Sequence, residues 1–234
     1  MRCDVECRVI RDPPYYCMCL SVVLLPIRYN KTVMMTFSQE ESRGKHVIGI
    51  DEVGRGALAG PICACACILE TNLSFHKNFT IRDSKTMTPR QREKTAAWLQ
   101  KNSMSFIAEC DAQTIDEIGI SEANKFVLKT VAEAAIQHVN DPETKVFVDY
   151  FTLSGIATIS VPKAERIHIS VASASILAKV YRDSHMKELA QGYPHYGWYT
   201  NMGYGTASHR EAIKIFGLSP KHRRTFTSSF VKQP

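Results

Sequence analysis

The sequence predicts an α/β fold in which helices flank one mixed β-sheet and a helical, loop-rich segment forms the C-terminal end. The length of 234 residues, with 44% hydrophobic and 22% charged residues, is ordinary for a globular protein. Three apolar runs joined by modest loops indicate an antiparallel meander, and later runs that alternate with amphipathic segments indicate parallel crossover units. The composition excludes a wholly disordered chain, a collagen and a membrane bundle.

The first 44 residues differ from the rest. Residues 1–44 contain half of the eight cysteines and an apolar run, Met18–Ile27, that is too short for a membrane span. We interpret this segment as a disordered N-terminal extension, with Met34 or Met35 as the natural start; a signal peptide is the alternative. Residues 45–234 are expected to form one folded domain that includes the basic C-terminal segment.

The regular elements follow from hydrophobic period and from capping residues. Thr88 precedes a proline that suits the first helical position, and Ser121 is the expected N-cap of a second helix. The predicted strands are His46–Ile50, Pro61–Leu69, Ser105–Cys110, Val146–Asp149 and Ile156–Val161. The predicted helices are Pro89–Asn102, Ser121–Val139, Ala172–Leu189 and Ala207–Phe216, and a polar loop is expected at Asp83–Thr88.

The cysteines indicate a reducing compartment. Cys63, Cys65 and Cys67 alternate along a predicted strand, as small buried hydrophobic residues do. The sequence has no Cys-x-x-Cys pair, so the spacing of a zinc site is absent. We predict a cytoplasmic protein with reduced thiols; structural disulfides are the alternative.

Charge is distributed unevenly along the chain. The net charge of +6 divides into +1 for residues 1–44, −2 for residues 45–162 and +7 for residues 163–234. Such a pattern is compatible with carboxylates that hold metal beside a basic surface that holds phosphate, or with uneven surface charge of no consequence.

Carboxylates end two of the predicted strands. Asp51 and Glu52 close the first strand, and Asp149 closes the strand that begins at Val146. A charge at the end of a buried strand is unfavourable unless it is paired or binds a cation. Acidic groups gathered at one sheet edge suit Mg²⁺ or Mn²⁺, whereas a single such residue is more often an exposed turn residue.

A glycine-rich segment follows the first pair of carboxylates. Gly54 and Gly56 allow close backbone approach and leave amides free for a phosphate or a sugar hydroxyl, and Arg55 adds positive charge. This strand, acidic pair and Gly-Arg-Gly turn together resemble the ribonuclease HII family of type II ribonucleases H. The resemblance continues in order from Val47 to Phe226. Its further motifs are Asp83-Ser84-Lys85, Ile115 to Ile120, Val148-Asp149, Lys163-Ala164-Glu165, Ala172 to Asp183, Tyr193-Pro194, Gly203 to Thr206, His209 and His222-Arg223.

The resemblance implies a ribonuclease H-like fold and hydrolysis of RNA joined to DNA, including single ribonucleotides within duplex DNA. It implies that Asp51, Glu52 and Asp149 are metal ligands and that Glu165 is the fourth acidic residue. Two Mg²⁺ or Mn²⁺ ions about 4 Å apart would activate water and stabilise the leaving oxygen. The expected partners are RNA–DNA hybrids and DNA duplexes containing ribonucleotides, without a membrane, and the expected state is a monomer.

The resemblance also implies substrate contacts. The Gly54-Arg55-Gly56 backbone would recognise the 2′-hydroxyl, which distinguishes RNA from DNA. The aromatic ring of Tyr204 would stack on the neighbouring deoxyribose. The remaining expected contacts are with backbone phosphate, through Ser84 and Lys85 and, as weaker candidates, His209, His222 and Arg223.

Three of these candidates have an alternative role. His209 could instead cap the predicted helix Ala207–Phe216, and the basic run around His222 and Arg223 could be a solvated tail. Asp183 competes with Glu165 as fourth carboxylate, or forms a simple helical pair with Lys179.

Two positions depart from the family pattern. Glu165 stands where ribonucleases HII commonly have Asp and where ribonuclease HIII has Glu, and Tyr150 stands where Gly usually follows the aspartate. An enzyme like ribonuclease HIII that prefers longer RNA runs, and a catalytically impaired nucleic-acid binder, are therefore alternatives. The intact Asp51, Glu52 and Asp149 favour the active enzyme.

Overall fold

A computed structural model describes residues 37–38, 41, 44–73 and 81–228. Its centre is a five-stranded mixed sheet, which confirms the predicted fold class. The strands are β1 His46–Val53, β2 Ile62–Glu70, β3 Met104–Cys110, β4 Lys145–Asp149 and β5 Ile159–Val161. The α-helices of the described residues are α1 Pro89–Asn102, α2 Ala112–Ile118, α3 Ile120–Val139, α4 Ile169–Gly192, α5 Trp198–Asn201, α6 Ala207–Phe216 and α7 Arg224–Thr227.

The order of the strands across the sheet is β3-β2-β1-β4-β5. The first three strands are antiparallel neighbours, as the meander predicted, and β4 and β5 continue the sheet in parallel with β1. Ile50 of β1 lies beside Val148 of β4. Because parallel strands end at the same sheet edge, this register places the carboxylates after β1 next to the carboxylate that ends β4.

The structure confirms one of the two predicted helix N-caps and contradicts the other. Thr88 and Gln91 form the reciprocal capping box of α1, so the predicted N-cap is confirmed. The predicted N-cap at Ser121 is wrong, because α3 begins at Ile120 and its N-cap is Gly119, with φ of 81°. The same glycine ends α2, a short helix that the apolar period did not predict and that Asp111 caps.

Hydrophobic side chains fill both faces of the sheet. Alternate residues of β1 point to opposite faces, with Ile48 and Ile50 packed toward α3 and Val47 packed toward α4. Cys65 and Cys67 belong to the second of these clusters. The four cysteines in the described residues are buried and free, as predicted for small hydrophobic residues.

Helix α4 crosses β1 at very short range. A Cβ on Gly49 would clash with the backbone of Ser170 and Val171, so only glycine permits this approach. The carboxylate of Glu41 accepts hydrogen bonds from the Ser170 amide at 3.0 Å and from its hydroxyl at 2.7 Å. Glu41 is buried, so the packed domain begins before residue 45, although disorder was predicted for residues 1–44. The rest of that extension, except residues 37, 38 and 44, lies outside the described residues.

The C-terminal segment forms a third hydrophobic cluster against the end of α4. Trp198 is fully buried at its centre and contacts Tyr196 and Tyr193. Two isolated β-bridges, Ala57 with Tyr204 and Ala59 with His222, connect this cluster to the loop that follows β1. The C-terminal segment therefore holds one side of the predicted site. Among the described residues, no helix has the length and apolar character that a membrane crossing requires.

Candidate active site

The ends of β1 and β4 bring three carboxylates together. Burial and, to a lesser extent, the negative charges of Glu52 and Asp149 raise the pKa of Asp51 to about 8, against the opposing effect of a hydrogen bond from Ser175. Burial and Asp149 raise the pKa of Glu52 to about 7, against the positive charges of Arg55 and Lys85. The strand-end carboxylates predicted from sequence are therefore close enough to repel one another.

Glu165 lies in a short 3₁₀ turn, Ala164–Arg166, rather than at the end of a strand. The amide of Ala164 donates to Asp149 Oδ1 at 3.1 Å, which fixes the start of the segment that carries Glu165. The Glu165 side chain is 7% exposed, and its Oε2 is buried without a hydrogen-bond partner. It lines a cleft together with Asp83, Arg166 and Ile81, whereas Asp51 does not line that cleft.

The carboxylates fit a divalent cation chemically. In the described part of the chain, no three His, Cys, Asp or Glu side chains already stand as a set that would hold a metal ion. However, a partnerless buried oxygen of Glu165 and raised pKa values at Asp51 and Glu52 are signs of negative charge without enough compensation. Carboxylate oxygens are the donors that Mg²⁺ and Mn²⁺ prefer, so a cation would supply what these groups lack.

The loop after β1 has the backbone conformation that its glycines predicted. Gly54 has φ of 90°, and a Cβ there would clash with the Arg182 side chain. Gly56 faces open space, where an added Cβ would meet nothing within 4 Å. Arg55 is exposed, and its guanidinium lies 5.3 Å from the ring centroid of Phe151. The outer side of this loop is thus free to meet a ligand.

Two fully buried arginines hold the inner side of this loop. Arg182 donates to the carbonyl oxygens of Pro61 at 2.8 Å, Ala59 at 3.1 Å and Met202 at 2.9 Å. Arg223 donates to the carbonyl oxygens of Gly60 and, at 2.9 Å, Arg55. The expectation that Arg223 contacts phosphate is therefore wrong. Its side chain is 0% exposed and donates hydrogen bonds to backbone carbonyl oxygens instead.

His209 and His222 are also buried rather than presented to a phosphate. Trp198 Nε1 donates to His209 Nε2 at 2.9 Å, and His222 Nε2 lies 3.2 Å from the same atom. His222 Nδ1 accepts from the Ser219 amide at 2.9 Å. The cap of α6 is Thr206, so the expectation that the His209 side chain caps this helix is wrong as well. Neutral imidazole rings can make all of these hydrogen bonds. Both histidines are therefore part of the buried C-terminal cluster.

Tyr204 lies beside the glycine-rich loop and is partly exposed. Its backbone bridges Ala57, and its ring faces the charged ends of Lys179 at 5.6 Å and Arg182 at 5.4 Å. Asp183 pairs with Lys179 at 2.8 Å along α4, which favours the helical pair over a fourth catalytic carboxylate. Tyr204 therefore lies next to the glycine-rich loop, with part of its side chain open to solvent.

Ser84 and Lys85 differ in accessibility. The hydroxyl of Ser84 is buried and lies 2.9 Å from the hydroxyl of Ser175, so it is not free at the surface. Asp83 caps the short 3₁₀ turn Ser84–Thr86 by accepting from the Lys85 amide at 3.0 Å. Lys85 is exposed, and its positive charge acts on Glu52. Of the two, Lys85 alone has a side chain placed to meet a phosphate.

Three residues of the site were missed by sequence reasoning about side-chain roles. Ser175 contacts Asp51, Arg182 supports the loop, and Glu41 anchors α4. Arg182 follows a run of small apolar residues on the predicted helix Ala172–Leu189, and this was a signal, since a charge on a buried helix face needs partners. No local pattern distinguishes Ser175 from its serine neighbours or Glu41 from exposed acidic residues.

Comparison with known proteins identifies the family. The family model described as ribonuclease HII matches residues 48–232, which include every strand and helix around the site except the first two residues of β1. The chain belongs to the ribonuclease HII family. A ribonuclease HII of Shouchella clausii is 41% identical over 182 residues, covering 77% of this chain and 68% of the relative. A ribonuclease HII of Clostridium botulinum is 38% identical over 202 residues, covering 85% and 74%.

Solved structures agree with this membership. The ribonuclease H2 of Pyrococcus horikoshii superposes with a TM-score of 0.65 at 26% identity, covering 80% of this chain and all of that one. A ribonuclease HIII described in complex with Mn²⁺ has a TM-score of 0.61 at 19% identity, covering 80% of this chain and 66% of that one, and shows the fold alone. As a ribonuclease HII, the chain is a ribonuclease H hydrolase, an endonuclease of a family that acts on RNA–DNA hybrids.

Proposed function

We propose that this ribonuclease HII cuts the RNA strand of RNA–DNA hybrids and nicks duplex DNA 5′ to single embedded ribonucleotides. The observation that carries the proposal is the meeting of Asp51, Glu52 and Asp149 at one sheet edge beside the Gly54–Gly56 loop. A carboxylate cluster next to a loop that is exposed at Arg55 and Gly56 suits a phosphodiester whose neighbouring sugar carries a hydroxyl.

Asp51, Glu52 and Asp149 would hold the cations, and Glu165 would complete the set with its partnerless oxygen. When bound, two Mg²⁺ or Mn²⁺ ions would lower the pKa of the attacking water and stabilise the leaving oxygen. The ribonuclease HIII bound to Mn²⁺ supports a divalent metal in a protein of this fold. Ser175 and the Ala164 amide orient the carboxylates by hydrogen bonds to Asp51 and Asp149.

The substrate contacts follow from which groups are exposed. Arg55 and the open side of Gly56 would meet the ribonucleotide, Lys85 a neighbouring phosphate, and Tyr204 the adjacent deoxyribose. Ser84, Asp183, His209, His222 and Arg223 are not part of this contact set, because each is engaged inside the protein. We propose that the chain acts on these duplexes as a monomer in the cytoplasm.

The test is cleavage of matched duplexes that contain none, one, two or four consecutive ribonucleotides, with Mg²⁺ or Mn²⁺. We expect one nick 5′ to the single ribonucleotide and no cleavage of the all-DNA duplex. Cleavage of longer runs only would favour the alternative that resembles ribonuclease HIII, which Glu165 suggests. Binding without a nick under both metals would establish the impaired binder instead, and Asp51→Asn supplies the inactive control.

A further inference from the structure

Tyr150 has an unusual backbone conformation directly after Asp149. Its φ is 62°, in the left-handed region that disfavours residues with a Cβ. The Phe151 amide donates to the Asp149 carbonyl oxygen at 2.8 Å, which closes a three-residue turn around Tyr150. A γ-turn with positive φ at its centre is the rarer and more strained of the two γ-turn forms. A glycine would relieve this strain, yet the chain has a tyrosine.

The two aromatic residues of this turn, Tyr150 and Phe151, have different surroundings. Phe151 packs against the hydrophobic core, and Arg55 of the glycine-rich loop covers its ring. Tyr150 contacts Phe151 edge-on at 5.8 Å between ring centroids and is 71% exposed. Burial therefore does not account for the tyrosine, since most of its ring faces solvent.

The position of this ring suits a contact with the substrate. Tyr150 directly follows the carboxylate Asp149 in the chain, and its ring contacts Phe151, whose own ring faces the Arg55 guanidinium of the glycine-rich loop. Strain that persists beside an active site is a reason to look for a function that maintains it. An exposed aromatic ring can pack against sugars and bases of any sequence.

We propose that Tyr150 is a substrate-binding residue whose ring packs against the nucleic-acid strand next to the scissile bond. The inference rests on the proposed function, because it takes the strand to be the one that carries the ribonucleotide. It adds a contact at a position where the family usually has glycine. In this chain the tyrosine ring would strengthen the binding of the duplex at the expense of backbone strain.

The experiment compares Tyr150→Phe, Tyr150→Ala and Tyr150→Gly with the unaltered chain. Binding to the single-ribonucleotide duplex is measured by fluorescence anisotropy in EDTA, and KM and kcat are measured with Mn²⁺. We expect Tyr150→Ala and Tyr150→Gly to raise Kd and KM about tenfold, with a smaller effect on kcat. Tyr150→Phe should stay within about twofold, because it keeps the ring.

Thermal unfolding separates a contact with substrate from a structural role. Tyr150→Gly should raise Tm by about 2–4 °C while it weakens binding, because glycine relaxes the left-handed turn. The matched control is Asn140→Gly, at an exposed position with φ of 47° at the end of α3, which should alter Tm without altering Kd. Tyr199→Ala removes another exposed tyrosine and should leave Kd unchanged, which controls for a non-specific effect of losing exposed aromatic surface.

Two results would overturn the inference. If Tyr150→Gly left Kd and KM within twofold, Tyr150 would have no substrate contact. If Tyr150→Phe bound as poorly as Tyr150→Ala, the ring would not be the contacting group. Failure of the proposed function is distinguishable, because the unaltered chain would then bind the duplex without nicking it, and the anisotropy comparison would still decide the role of Tyr150.

Discussion

Arg223 donates two hydrogen bonds to the single carbonyl oxygen of Gly60, from Nε at 3.0 Å and from Nη2 at 2.9 Å. Its remaining nitrogen reaches the carbonyl oxygen of Arg55 at 2.9 Å. Both acceptors belong to the loop that presents Gly56 and Arg55 to solvent. A residue 163 positions away in the chain thus fixes the shape of the proposed substrate loop.

Replacing Arg223 should therefore destabilise the protein. Lysine cannot reproduce the planar fork, so Arg223→Lys cannot keep all three hydrogen bonds to the carbonyl oxygens of Gly60 and Arg55. We expect a loss of about 2–4 kcal/mol in the free energy of unfolding, measured by urea denaturation. Arg224→Lys is the control, since residue 224 is exposed and should change stability by less than about 0.5 kcal/mol. Equal urea midpoints for the two variants would contradict the role of Arg223.

Asp51→Asn should abolish cleavage and stabilise the metal-free protein at neutral pH. Asp51 has a pKa of about 8 when folded and an ordinary value of 3.8, so the folded state holds a proton that the unfolded state has released. Stability of the metal-free chain must then fall as pH rises from about 4 to about 8. Urea midpoints in EDTA at pH 5 and pH 8 test this expectation. The slope should be shallower in Asp51→Asn, and an unchanged slope would exclude Asp51 as its source.

The sequence predicts those site residues whose position depends on their immediate neighbours in the chain. Asp51 and Asp149 each follow a short apolar run, and parallel pairing of those runs brings their ends together. Arg223 and His222 were misjudged because a basic run resembles a solvated surface, whereas their partners lie far away in the chain. The burial of Glu41 depends on Ser170 in the same way, 129 positions away. Apart from Arg182, whose apolar helix gave a signal, the long-range partners of these charged groups leave no local pattern.

The burial of Glu41 predicts where truncation becomes harmful. Removing residues 1–33 should leave the unfolding midpoint unchanged, whereas removing residues 1–44 should lower stability by about 2–3 kcal/mol. The longer truncation takes away the acceptor of the Ser170 amide and hydroxyl, together with the negative charge near the start of α4. Glu41→Gln is the point variant that separates the side chain from the backbone around it. Equal stability of the two truncated chains would show that this contact contributes nothing.

The His209–His222 contact predicts loss of stability in acid. Burial and, to a lesser extent, the neighbouring His209 lower the pKa of His222 to about 4. Between about pH 6.5 and about pH 4, His222 binds a proton in the unfolded state but stays neutral in the folded state. The free energy of unfolding therefore falls as the pH falls through this range. Urea midpoints from pH 7 to pH 4.5 should decline less steeply in His222→Gln. His195→Gln, at an exposed position, should keep the original slope.

Glu165 should matter for cation binding more than for folding. Its Oε2 is buried without a hydrogen-bond partner, so Glu165→Gln removes a negative charge without breaking a hydrogen bond at that oxygen. We expect this variant to fold as stably as the unaltered chain or more so, and to lose about tenfold in Mn²⁺ affinity, measured by calorimetry without substrate. Glu165→Asp keeps the carboxylate and should retain cleavage with Mg²⁺. If Glu165→Asp were inactive while it still bound Mn²⁺, the site would require the longer side chain. If Glu165→Gln bound Mn²⁺ normally, Glu165 would have no part in holding the cation.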